Sequence, residues 1–279
     1  MMTYRELYES GVNCLEENNC KEAVLDARLL LEFICHTNRN DLLAHGDREV
    51  SEPDVKQYEA FIRRRATGEP LQYITGEQDF MGLTFKTHES TLIPRYDTEC
   101  LVEEAMMHLH DGMRILDMCS GSGCILLSLL KYSNDCVGVG AELQSAAVAL
   151  ARENAEKLGI EATFIESDLF GQVEGKFDII VSNPPYIESK VIETLDREVR
   201  EHEPMSALDG GADGLDFYRR IVDEAREYLT RGGMLFFEIG YNQAEAVSEL
   251  LRLKGYTDIV VKKDLAGLDR VVYATYAED

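Results

Sequence analysis

Apolar residues recur at helical spacing through the first 70 residues. Tyr4, Leu7, Tyr8, Val12 and Leu15 fall near a 3.6-residue period, and Ala23, Leu25, Ala27, Leu30, Leu31 and Ile34 repeat it. Ser51, Glu52, Pro53 and Asp54 have the form of a helix start, a capping serine followed by proline in the first turn. That helix runs to residue 67, where Gly68 and Pro70 stop it. Residues 1–70 therefore predict a small bundle of about four helices.

The period then changes. Residues 72–75 and 80–86, separated by Gly76 and Glu77, read as a β-hairpin, which makes 71–90 a linking element. Residues 91–97 (TLIPRYD) form an irregular link into a helix carrying Leu101, Val102, Ala105 and Met106. From Arg114 onward short apolar strands, at 114–116, 136–139, 162–165, 177–181 and 234–239, alternate with helical stretches at 124–131, 145–158, 215–229 and 243–254. This rhythm belongs to a doubly wound, mostly parallel sheet with helices on both faces. The last two strands, 259–261 and 270–275, are joined by too short a segment for a crossover helix and must pair antiparallel. The expected fold is α/β. Residues 91–279 form a seven-stranded, mostly parallel Rossmann-like sheet with an antiparallel C-terminal hairpin, and the helical bundle precedes it.

Charge narrows the function. With 28 basic and 52 acidic residues the formal net charge is −24, a surface that repels phosphate backbones and anionic lipid. No apolar run approaches the ~18 residues of a membrane span, and the N-terminus lacks the apolar stretch of a signal peptide. Seven cysteines, none in a C-x-x-C pair, read as reduced thiols of a cytoplasmic protein. His108 and His110 are the one close histidine pair, and their i,i+2 spacing points them to different sides of a helix, so no metal site is expected.

Residues 114–123 (RILDMCSGSG) carry the first candidate chemistry. A strand ends in Asp117, and a loop of small residues, Cys119, Ser120, Gly121, Ser122 and Gly123, opens a helix at Cys124. Small residues let a ligand approach the backbone at the carboxyl end of a strand and the N-terminus of a helix. Alone, the loop also reads as a helix-capping turn. The dinucleotide fingerprint G-x-G-x-x-G fails, because Leu126 stands at the third glycine. Asp117 would repel a pyrophosphate and suits a ligand bearing an ammonium or sulfonium. Glu142, 19 residues after Gly123 and just past the second strand, can accept from ribose hydroxyls. Asp168, beside Leu169 at the end of the third strand, can accept from an adenine amino group. Acids at three successive strand ends point to a cationic adenosine compound.

Residues 177–187 (FDIIVSNPPYI) run a buried strand straight into Asn183, Pro184, Pro185 and Tyr186. Two prolines stiffen this loop. The Asn183 carboxamide and the Pro184 carbonyl can then be held as two acceptors for the two hydrogens of a planar –NH2 group, and Tyr186 offers an aromatic face for a flat amide or base. The segment resembles the (N/D)PP(Y/F) motif of methyltransferases that act on exocyclic or amide nitrogens with S-adenosylmethionine. The likeness extends along the chain. Residues 68–76 (GEPLQYITG), 92–99 (LIPRYDTE), Glu203-Pro204 and 207–218 (ALDGGADGLDFY) resemble stretches of one family, the bacterial peptide chain release factor N5-glutamine methyltransferases.

The resemblance implies methyl transfer from S-adenosylmethionine, leaving S-adenosylhomocysteine, to the side-chain amide of the glutamine in the Gly-Gly-Gln motif of class 1 release factors. It implies catalytic roles for Asn183, Pro184 and Tyr186, with Pro185 beside them against the substrate. Asp117, Cys119, Ser120, Gly121, Ser122, Gly123, Glu142, Asp168, Leu169 and Asn183 are expected to hold the cofactor. The helical domain is expected to recognise a folded protein, in a cytoplasmic monomer that binds neither nucleic acid nor membrane. Three positions depart from the family pattern: Cys119 replaces the first loop glycine, where a positive φ would be strained, Tyr96 replaces a proline, and Glu142 replaces an aspartate. Three rival readings remain: an adenine-N6 methyltransferase of DNA or RNA, which would need a basic groove; methylation of another protein glutamine; and a non-catalytic cofactor-binding scaffold, against which intact Asn183, Pro184 and Tyr186 speak. Asp209, Asp213 and Asp216 lack calcium-loop spacing and read as turn residues. Arg63, Arg64 and Arg65 read as a solvated face or a docking point.

Overall fold

The computed structural model describes residues 2–277, which form two compact units: residues up to 77 together with 196–202, and residues 78–195 together with those from 203 onward. Among the described residues no helix is long and apolar enough to cross a membrane.

The first unit is helical, with α1 (Tyr4–Glu17), α2 (Ala23–Ile34), α3 (Arg39–Ala44), α4 (Glu52–Ala66) and α5 (Leu71–Thr75). Thr3 and Glu6 cap α1 reciprocally, and Ser51 caps α4 by accepting from the Asp54 N–H. At Gly11 the helices approach closely: a Cβ there would stand 2.0 Å from Tyr58 Oη. Tyr58 in turn donates to the Ala27 carbonyl at 3.1 Å, so α1, α2 and α4 meet at one point. Two expectations are corrected in this unit. Residues 72–75 are helical, not a strand. Pro70 starts the turn, Gly76 at φ +75° ends it, and Ile74 is buried in the bundle, which outweighs the β propensity of Tyr73, Ile74 and Thr75. Arg65 does not lie on a solvated face. The phase of α4 turns it inward with Tyr58 and Ile62, 3% exposed. There it bonds Asp26 Oδ2 at 2.7 Å, the Glu69 carbonyl at 3.0 Å, and Glu198 of the returning segment 196–202.

A hairpin, β1 (Glu77–Phe80) and β2 (Leu83–Lys86), leads into α6 (Tyr96–Met106). The alternation that follows is β3 (Arg114–Met118), α7 (Cys124–Lys131), β4 (Val137–Glu142), α8 (Ser145–Leu158), β5 (Thr163–Glu166) and β6 (Phe177–Ser182). After α9 (Arg197–His202), which belongs to the first unit, come α10 (Asp216–Glu224), β7 (Leu229–Glu238), α11 (Ala244–Leu253), β8 (Tyr256–Lys263) and β9 (Asp269–Tyr276). The seven-stranded sheet has the order β5-β4-β3-β6-β7-β9-β8, with β9 antiparallel to both its neighbours and all other pairs parallel. This is the expected fold. Successive strand residues face opposite sides. Ile115, Ile179, Phe236 and Val271 pack with α6, α7 and α8, while Leu116, Ile180, Leu235 and Val272 pack with α10 and α11. Burial on both faces is why these strands are continuously apolar.

The order of strands reverses between β3 and β6, and the loops leaving them open a crevice at the carboxyl edge of the sheet. Met118 pairs with Ser182 across this junction, and Ser182 Oγ donates to the Met118 carbonyl at 2.7 Å. The glycine loop and the Asn-Pro-Pro-Tyr loop therefore start side by side.

Candidate active site

The crevice holds a cavity open to solvent on one side. Its wall takes Cys119, Ser120, Gly121 and Ser122 from the loop after β3, Glu142 from the end of β4, Asp168 and Leu169 after β5, and Asn183 and Pro185 after β6. Asp117, Gly123, Pro184 and Tyr186 do not line it. Sequence reasoning missed Pro94, Arg95 and Thr98 at the start of α6, and Ser206, Ala207 and Phe217, all of which line the cavity. A proline directly before a helix and an arginine in so acidic a chain were the available signals for the first group.

The loop after β3 is tightly drawn. Cys119 and Ser120 donate to the Ala141 carbonyl at 2.9 and 3.2 Å. At Gly123, φ is +78° and a Cβ would come within 2.8 Å of the Phe164 ring, so only glycine lets the loop pass against this side chain. Cys119 has φ +62° and Leu169 φ +47°. Such left-handed backbone in residues other than glycine costs about 1–3 kcal/mol each and gathers at functional sites. Burial raises the Cys119 thiol far above its ordinary range and the Cys124 thiol to about 12, so neither is a thiolate nucleophile.

The three acids occupy different settings. Glu142 accepts from the Gly121 and Gln144 N–H groups, each at 3.0 Å, which fixes its carboxylate between two loops. Asp168 is exposed and pairs with Arg220 at 2.8 Å. Asp117 is fully buried between β3 and the first turn of α7. Its Oδ2 accepts from the Leu126 N–H at 3.3 Å and its Oδ1 has no partner. Burial, reinforced by the charge of Glu142, lifts its pKa to about 8.

In the second loop, Asn183 Nδ2 donates to Thr98 Oγ1 at 3.3 Å, which leaves Oδ1 as the free acceptor. Tyr186 Oη donates to Glu238 Oε1 at 3.3 Å, and burial holds its phenol protonated. Gln243 Nε2 donates to the Tyr186 and Gly214 carbonyls at 3.0 and 3.2 Å and so pins the loop. Arg95, at the cavity edge, forms an ion pair with the buried Glu203.

A doubly wound sheet with a small-residue loop, acids at successive strand ends and an Asn-Pro-Pro-Tyr turn across the switch point defines a class I methyltransferase. Residues 6–76 match the PrmC N-terminal domain and residues 96–200 the methyltransferase small domain. The chain is 42% identical to the release factor glutamine methyltransferase of Geobacter sulfurreducens, over 97% of this chain and 95% of that one. It is 39% identical to the protein of the same name from Moorella thermoacetica, over 100% of both. The chain belongs to the release factor glutamine methyltransferase family, as the motifs in its sequence indicated. Two solved structures share its fold. A methyltransferase from Pyrococcus furiosus is 19% identical with a TM-score of 0.54, covering 71% of this chain and 90% of that one. The 16S rRNA N2 G1207 methyltransferase of T. thermophilus, solved with AdoMet and guanosine, is 20% identical with a TM-score of 0.51, covering 71% and 49%.

Proposed function

We propose that this enzyme transfers the methyl group of S-adenosylmethionine to the side-chain amide nitrogen (N5) of the glutamine in the Gly-Gly-Gln motif of class 1 peptide chain release factors. One observation carries the reading. Asn183 is tethered through its donor nitrogen to Thr98, and its acceptor oxygen is left over at a cavity whose other wall is the glycine loop.

The residues present fit the cofactor. A Cβ at Gly121 would meet nothing within 4 Å, so the loop backbone is open to a ligand. Glu142 would take the ribose hydroxyls, Asp168 with Leu169 the adenine, and Ser120 and Ser122 the edge of the amino acid. Asp117 keeps an unpartnered oxygen just behind the loop. A cation in the cavity lowers the cost of ionising that carboxyl, so the enzyme discriminates for positive charge. When bound, S-adenosylmethionine supplies a methyl group already activated by its sulfonium.

The chain's own contribution is alignment. An amide nitrogen is a poor nucleophile because its lone pair is delocalised. Asn183 Oδ1 and the Pro184 carbonyl would accept both amide hydrogens, orient the nitrogen toward the methyl group and favour the positive charge that builds on it, until one of those hydrogens leaves the nitrogen as a proton to solvent. The Tyr186 ring supports the flat amide. The helical unit recognises the body of the release factor, and the enzyme works as a cytoplasmic monomer whose charge of −24 disfavours nucleic acid as acceptor. Labelled S-adenosylmethionine offered in parallel to release factor, duplex DNA and ribosomes tests this. Label is expected in release factor, and preferential label in DNA overturns the proposal.

A further inference from the structure

Glu238 is a charged residue inside an apolar strand end, Phe236-Phe237-Glu238-Ile239, and is 2% exposed. Its three neighbours are fully buried hydrophobic residues, so packing alone would favour another one here. Its Oε1 accepts from Tyr186 Oη at 3.3 Å. Its Oε2 meets no partner in strict hydrogen-bond geometry. Burial raises the pKa of this carboxyl, and the nearby Thr98 hydroxyl and the charge of Arg270 act against that rise and favour the carboxylate. Arg270 is itself held by Asp264 and Asp97 at 3.0 and 3.1 Å. Thr98 Oγ1 accepts from Asn183 Nδ2. One buried carboxylate thus bonds Tyr186 of the Asn-Pro-Pro-Tyr loop and borders the Thr98 hydroxyl that holds Asn183.

The direction of these bonds matters. A carboxylate only accepts, so it draws the Thr98 hydroxyl hydrogen toward itself. The Thr98 lone pair then faces Asn183, only Nδ2 can meet it, and Oδ1 turns to the cavity. With a donor in place of the carboxylate, the Thr98 hydroxyl is free to donate to Asn183 Oδ1. The amide flips and presents N–H groups to the substrate's own N–H groups.

We infer that Glu238 and Thr98 are positioning residues that set the hydrogen-bond polarity of Asn183 and hold Tyr186 for methyl transfer. The inference rests on the reading that Asn183 Oδ1 accepts from the substrate amide. The Glu238→Gln variant keeps the shape and brings an N–H donor to Thr98. With release factor as acceptor, its kcat is expected to fall at least about tenfold, while KM for the factor and the calorimetric Kd for S-adenosylmethionine stay within about twofold. Thr98→Val is expected to give the same split, and the double variant to be no slower than Thr98→Val alone, because members of one chain are non-additive. Normal kcat in Glu238→Gln, losses that multiply in the double variant, or a loss of cofactor affinity equal to the loss of kcat overturns the inference. If Glu238→Gln does not fold, Thr98→Val alone decides, and normal kcat there is the overturning result. Asn183→Ala separates the two levels. An active Asn183→Ala enzyme defeats the underlying reading, whereas an inactive one beside a normal Glu238→Gln defeats only this inference.

Discussion

Replacing Asp117 by asparagine should stabilise the enzyme, and more so as the pH rises. The carboxyl is fully buried with one oxygen unpartnered, and burial lifts its pKa from the ordinary 3.8 to about 8. Between these values the folded protein retains a proton that the unfolded chain has released. The unfolded state binds fewer protons, so stability falls as pH rises through the window and levels off above about 8. At pH 7, about three units above the unfolded value, the loss reaches about 4 kcal/mol at ~1.36 kcal/mol per unit. Asparagine has no proton to lose, and its carbonyl still accepts from the Leu126 N–H. Thermal or urea unfolding of the sheet-containing unit, wild type against Asp117→Asn from pH 4 to 9, reads the difference directly. The two should coincide near pH 4 and diverge to a Tm gap of roughly 10 °C by pH 8. Parallel curves at every pH, or a less stable variant at pH 8, would refute the reasoning. The same variant should bind S-adenosylmethionine more weakly, since a neutral amide cannot answer a cation; stability is gained where binding is lost.

Removing the Glu142 carboxylate loses charge-assisted hydrogen bonds worth about 1.5–3 kcal/mol. Calorimetry should therefore show Glu142→Ala binding the cofactor at least about tenfold more weakly, and unchanged affinity removes Glu142 from the site. Cys119→Val puts a β-branched side chain at φ +62°. It should lower Tm by several degrees and weaken cofactor binding, whereas a variant that melts and binds like wild type would show that the loop relaxes at no cost. Arg65→Met strands Asp26 in the helical core, so unfolding of the first unit should become easier by about 3–5 kcal/mol; an unchanged denaturation midpoint counts against the buried ion cluster.

Much of the fold is legible in the chain because both faces of the sheet are covered. A run such as FDIIVS needs no alternation to be recognised as a buried strand. The start of α7 and the end of α8 are visible because Gly123 and Gly159 cap them in left-handed backbone. The strand β7 starts earlier than its apolar run, at Leu229, because Arg231, Gly232 and Gly233 interrupt the pattern where its pairing with β6 shifts register. Residues 72–75 misled because tertiary burial of Ile74 overrode local preference. Arg65 was concealed in a basic run, and only the phase of α4 reveals that it points inward. The acids at the strand ends and Asn183 were evident from position alone. Thr98, Arg95 and Phe217 reach the cavity through packing between distant segments, for which no local pattern exists. Glu238 did leave a trace, a lone charge within FFEIG, but its partner Tyr186 and its neighbour Thr98 come to it only once β6, β7 and α6 are assembled.

The most direct test of the account is to map the methyl group by fragmentation mass spectrometry after incubating a class 1 release factor with S-adenosylmethionine and either the wild-type enzyme or Asn183→Ala. With the wild type, one methyl is expected on the side-chain amide of the Gly-Gly-Gln glutamine. With Asn183→Ala, at equal cofactor occupancy, almost none is expected. A methyl at any other residue of the factor, or the same product formed at a comparable rate by Asn183→Ala, would contradict it.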